Sequence, residues 1–134
     1  MWPPEVERVA ALLRAAGVEG RLEEIPAEEV GAPGPAVRAE AYEWDGRTIV
    51  AVIPDDRDLD RAKLATAAGC AAPRRLAASP RFPYANSSVL IDRLVFGEHM
   101  VWFEAGSERH FAGIAPAQLV ELTHARSANL VVDA

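Results

Sequence analysis

The chain has 134 residues, of which 50% are hydrophobic and 25% charged, with a formal net charge of −6. This balance fits one soluble globular domain spanning residues 1–134 and excludes a fibrous or disordered chain. No apolar run reaches the roughly 18 residues of a membrane span, and the net acidity argues against indiscriminate nucleic-acid binding.

The first segment, MWPPEVERV, lacks the basic and apolar regions of a signal peptide, so the expected location is the cytoplasm, with neither membrane nor DNA as partner. Prolines open a first helix that places Val6, Val9, Ala10, Leu12 and Leu13 on one side and stops at Gly17. RLEEIP reads as a short strand, and AEEVGAPGPA after it is too rich in Gly and Pro to hold a long helix. AVRAEAYEW alternates up to Trp44, turns at Asp45-Gly46 and resumes as RTIVAVI, which predicts a hairpin. Its second strand is apolar on both faces and is expected at the centre of the sheet.

DRDLDRAKLATAAGC predicts a helix with Leu59, Ala62, Leu64 or Ala65 and Ala68 facing inward and Gly69 as its stop. PRRLAASPRFPYANSS is expected to be mostly loop. VLIDRLVF, HMVWFEAG and RHFAGI read as strands, APAQLVELTHA as a proline-led helix, and NLVVDA as a closing strand. Helices interspersed with hairpin-like strands, and few βαβ crossovers, predict an α+β domain around a mixed, mostly antiparallel and barrel-like sheet core.

Cys70 is the only cysteine, which excludes an intrachain disulfide and a cysteine zinc site; it reads as a small apolar residue after Gly69. His99, His110 and His124 lack the spacing that puts two ligands on one metal, so neither metal nor other cofactor is expected. Charge is unevenly distributed: residues 1–56 carry −7, residues 57–93 carry +4 and residues 94–134 carry −3. The basic island comprises Arg57, Arg61, Lys63, Arg74, Arg75, Arg81 and Arg93. It suits either a phosphate backbone or a solvated surface.

The order of these elements, and three segments in particular, resemble the YbaK/ProX aminoacyl-tRNA deacylase family, which includes relatives of the editing domain inserted in bacterial prolyl-tRNA synthetases. The segments are VIPDDRDLDRAKLA, the VLID strand, and AGSERHFAGIAPAQL with its AGSxxH-like turn before a strand and a proline-led helix. The resemblance runs from VERVAALLRAAGVEGRLEEIP to NLVVD. It implies hydrolysis of the ester joining a small mischarged amino acid to the terminal ribose of tRNA, with tRNA and a synthetase as partners. Such editing is needed because discrimination by one methylene is worth only about 1–3 kcal/mol.

The resemblance assigns Arg38 to the catalytic position and places Ser79, Pro80, Arg81, Phe82, Pro83, Gly106, Ser107 and His110 around the ester. Arg57, Arg61, Lys63, Arg74 and Arg75 would hold the acceptor end. From the residues alone, Ser107 reads as a turn cap and His110 as a half-exposed strand residue. Two departures from the family pattern stand out. Arg38 occupies the place of the family's lysine, and Lys63, the only lysine in the chain, falls on a later helix. SPRFPYA replaces a glycine-rich loop, with Ser79 and Pro80 where glycines are expected. Arginine keeps the charge but does not act as a base, and proline has no N–H to offer an oxyanion. These departures support a second reading, a member that binds tRNA, a synthetase or an aminoacyl-like ligand without hydrolysing it.

Overall fold

A computed structural model describes residues 2–133. In chain order the elements are α1 (Pro4–Ala15), β1 (Arg21–Glu24), β2 (Val37–Trp44), β3 (Arg47–Pro54), α2 (Arg61–Ala68), β4 (Arg74–Arg75), β5 (Ser88–Asp92), a 3-10 turn (Arg93–Gly97), β6 (Val101–Ser107), β7 (His110–Ile114), α3 (Pro116–Thr123) and β8 (Arg126–Ala128). Among the described residues no helix is long and apolar enough to cross a membrane.

The Asp45-Gly46 turn organises the larger sheet. Both residues have positive φ, 52° and 75°, the conformation that lets a two-residue turn follow the twist of its strands. β2 and β3 then pair from Val37↔Pro54 to Trp44↔Arg47. The five-stranded order is β4-β2-β3-β5-β8, with β5 parallel to β3 and β8 parallel to β5. β3 is central and buried on both faces, as its unbroken apolar run predicts. The smaller antiparallel sheet has the order β1-β7-β6.

The main core lies between the two sheets. Val50, Val52, Val89 and Ile91 of the larger sheet meet Val101, Phe103, Ala112 and Ile114 of the smaller, with Val9 and Leu13 of α1 and Leu119 of α3 closing the ends. The other face of β3, Ile49, Ala51 and Ile53, packs against Leu64 of α2 and against Leu130 and Val131. A bridge from Ala36 to Trp102 joins the sheets just before β2 begins.

Three local expectations change. The strand over VLIDRLVF ends at Asp92, because that fully buried carboxylate accepts the Leu94 N–H at 2.9 Å and starts the 3-10 turn. Its other oxygen takes the Leu130 N–H at 2.8 Å, so NLVVDA tucks beneath α2 and the closing strand is Arg126–Ala128 instead. Asp60 caps α2 by accepting the N–H groups of Ala62 and Lys63, which leaves Leu59 outside the helix and Ala62 exposed. The loop after α2 also contributes the two-residue strand β4 beside β2.

Candidate functional site

Strand alternation puts Arg38, Glu40 and Tyr42 on one face of β2. Glu40 is buried, with 7% of its surface exposed, and is the hub of this face. It accepts from Arg38 Nε at 3.0 Å and from the Tyr42 hydroxyl at 2.8 Å, and Arg75 on neighbouring β4 lies at 3.3 Å. Burial pushes the Glu40 carboxyl up, but the bonds from Arg38 and Tyr42 and the Arg75 charge outweigh it and hold it below its ordinary value. Burial and the adjacent Glu40 together push the Tyr42 phenol up. Arg38 also donates from Nη1 to the Asp55 carbonyl at 2.7 Å, at the far end of the hairpin. Two anchors at opposite edges of the guanidinium fix its plane.

Arg38 and Glu40 line one wall of a cleft of about 660 Å³. Its floor is aromatic: Phe82 stacks on Phe103 with ring centroids 4.4 Å apart and meets Tyr84 edge-on at 5.6 Å. Burial pushes the Tyr84 phenol up, so this hydroxyl stays protonated. Ser79, Pro80 and Arg81 form a rim, and the Val30–Ala32 segment, where the Gly- and Pro-rich sequence precludes a helix, forms part of another wall.

The rim is fastened to α1. Glu5 accepts from Arg81 at both carboxylate oxygens, at 2.8 and 3.1 Å on Oε2 and 3.0 Å on Oε1, and also pairs with Arg8. Arg8 in turn donates to the Phe82 carbonyl at 2.8 Å. Hydrogen bonds from Arg81 and Arg8 lower the Glu5 carboxyl to about 2.

Glu104, Glu108 and Asp55 also line this cleft. Burial, the Glu108 charge and the Asp55 charge raise the Glu104 carboxyl above its ordinary value. A carboxylate shifted this way in a cleft is a candidate proton acceptor.

Of the residues expected around the ester, Arg38, Ser79, Pro80, Arg81, Phe82 and Gly106 line this cleft, and Arg75 joins them from the basic island. Pro83, Ser107 and His110 are outside its lining. The Ser107 hydroxyl lies 2.9 Å from His110 Nδ1 and accepts the Arg109 N–H, while His110 packs edge-on against Trp2 with Glu24 at 3.8 Å. Gly106 serves α1: it has φ of 105°, and a Cβ there would sit 2.6 Å from Glu5 Cγ.

The other basic residues are dispersed. Arg61 and Arg75 both lie over the Tyr42 ring, 5.3 and 5.7 Å from its centroid, and Arg74 pairs with Glu43. Lys63 is spent on the C-terminal segment, donating at 2.7 Å to both the Val131 carbonyl and Asp133. Arg57 lines a neighbouring pocket.

Glu5, Arg8, Glu40 and Glu104 were not singled out by the sequence reading. Period-two alternation from Arg38 carries the signal for Glu40. Glu5 and Arg8 carry only a helix i,i+3 spacing, which is common on solvated faces.

Two sheets joined at Ala36, with three flanking helices, define a single α+β domain whose fold recurs among solved structures. One such structure, described as a candidate trans-editing enzyme for prolyl-tRNA synthetase, aligns over 99% of this chain and 100% of its own with a TM-score of 0.84 and 18% identity. A hypothetical protein aligns over 93% and 99% with a TM-score of 0.78 and 20% identity. A chain from computational epitope-backbone grafting aligns over 99% and 100% with a TM-score of 0.85 and 22% identity. No protein-family profile and no curated protein matches the sequence. The likeness is therefore one of fold.

Proposed function

We propose that the cleft hydrolyses the ester of a small mischarged amino acid on tRNA. The observation that carries this reading is Arg38, a guanidinium held in plane by Glu40 and the Asp55 carbonyl, lining the same cleft as an aromatic pair and a carboxylate with a raised pKa. The amino-acid side chain rests on Phe82 and Phe103, where each buried methylene adds about 0.8 kcal/mol. Arg38 stabilises the negative charge that develops on the ester carbonyl oxygen. Glu104 accepts a proton from the attacking water as the water oxygen bonds to the acyl carbon, and returns it to the ribose oxygen as the acyl–oxygen bond breaks, so that free amino acid and a ribose hydroxyl result.

The fold neighbour described as a candidate trans-editing enzyme supports this reading, as does the sequence resemblance. The basic side chains beside the cleft, Arg61 and Arg75, supply charge for the acceptor end, and a synthetase that delivers the tRNA is the second expected partner. The test is hydrolysis of alanyl- and cysteinyl-tRNA for proline by the purified protein. Arg38→Ala should lower the rate by about a hundredfold or more, with the folded state retained. Equal rates for wild type and Arg38→Ala would reject the site.

One observation favours a second reading. Arg38 already makes two protein bonds, and Asp58 lies 4.0 Å from its Nη2, so its charge is largely committed. A cleft of this kind can hold an aminoacyl-tRNA end without turning it over. Saturable binding with no hydrolysis across the panel would select that reading.

A further inference from the structure

Glu24, His110 and Ser107 stand in a row across the smaller sheet, because His110 of β7 is registered against Glu24 of β1 on one side and Ser107 of β6 on the other. Directly opposed residues point to the same face. For His110 this is the face of Ala112 and Ile114, two and four residues further on, which lie in the main core. The ring is 7% exposed and Trp2 packs edge-on against it, whereas Ser107 is partly exposed and Glu24 exposed. All three lie outside the lining of the Arg38 cleft. We propose that they form a second reactive centre, in which Ser107 takes the acyl group of an activated ester.

The hydrogen bonds set the direction of proton transfer. Ser107 Oγ accepts the Arg109 N–H at 3.0 Å, so its own proton is left for His110 Nδ1, 2.9 Å away. With Nδ1 as acceptor, the neutral ring carries its proton on Nε2, and Glu24 Oε1 lies 3.8 Å from that nitrogen. A hydroxyl within reach of a base, with the base oriented by a third group, is the arrangement that activates a serine. The turn that carries the serine is fixed from β1: the Ile25 N–H donates to the Arg109 carbonyl at 2.7 Å, and the Arg109 guanidinium donates to the Ile25 carbonyl. In the acylation step Oγ bonds to the acyl carbon and its proton passes to Nδ1, which makes an imidazolium beside the Glu24 carboxylate. The bond from the acyl carbon to the leaving oxygen breaks, and the departing group takes the Nδ1 proton. Esters of acidic phenols suit such a centre, since their leaving groups depart as stable anions.

The probe is p-nitrophenyl acetate, with nitrophenolate release followed by absorbance and the acetyl group located by peptide mass spectrometry after an early acid quench. Wild type should carry the acetyl group on Ser107. His110→Gln should slow acylation by about a hundredfold or more. Glu24→Gln, a change on an exposed side chain that keeps its shape and removes its charge, should slow it by about fivefold. An acetyl group on Lys63, on the N-terminal amine or on His110, with Ser107 unlabelled, would overturn the proposal, as would an unlabelled chain. The position of the label in wild type decides this without any variant. Label on Ser107 that forms at a rate indifferent to both substitutions would overturn the relay, because the serine would then react without its base.

Discussion

In the proposed reaction, Arg38 and Glu104 divide the chemistry of the cleft between charge and proton transfer. Arginine stays protonated at any working pH, so it supplies a fixed positive field but no base. Glu104 complements it, since burial and the charges of Glu108 and Asp55 raise its pKa. A base with a raised pKa is protonated over a wider acid range, so deacylation should climb with pH as Glu104 ionises. Glu104→Gln should lower kcat by about a hundredfold and remove that acid limb. A pH profile of kcat that keeps its acid limb in the variant would assign the limb to another group.

Between elements, the Glu5–Arg81 clasp and the Arg8 bond to the Phe82 carbonyl tie α1 to the 79–83 loop. Glu5 has its pKa lowered to about 2 from a model-compound value of 4.5. A carboxylate depressed on folding contributes stability above its unfolded pKa and loses it as pH falls through the folded one. The difference in Tm between wild type and Glu5→Gln should therefore be constant above pH about 5 and shrink as pH falls toward about 2. A difference independent of pH over that window would show that the clasp is not ionic.

The same contact demands Gly106. A methyl there meets Glu5 at a positive φ, so Gly106→Ala should cost about 2 kcal/mol or more in denaturant unfolding. A cost below about 0.5 kcal/mol would mean that α1 can shift away freely.

Legibility in the sequence followed how local each signal was. The hairpin at Asp45-Gly46, the central apolar strand and the Gly69 stop of α2 are written in adjacent residues, and all three are present. The end of β5 and the path of the C-terminal segment depend on one carboxylate, Asp92, reaching Leu130 across 38 positions, which no window reveals. The site follows the same rule. Arg38 and the 79–82 rim were reached through motif resemblance, Glu40 was passed over although alternation from Arg38 carries its signal, and the Glu5 clasp spans 76 positions.

Across the whole molecule, a net charge of −6 conceals a basic edge beside the cleft. Pairing thins this edge: Lys63, Arg74 and Arg75 are engaged by Asp133, Glu43 and Glu40, and Arg61 and Arg75 both lie against Tyr42. Replacing both, Arg61→Glu with Arg75→Glu, should weaken tRNA binding and reduce the slope of log affinity against log salt by about two. An unaltered slope would exclude this edge from the tRNA path.

The most direct measurement is the rate at which the purified protein and its Arg38→Ala variant release amino acid from alanyl- and cysteinyl-tRNA for proline, beside correctly charged prolyl-tRNA. Release from one mischarged species well above the spontaneous rate, abolished in the variant, is the result expected of an Arg38-centred deacylase. Spontaneous rates throughout, or rates indifferent to the substitution, would contradict it.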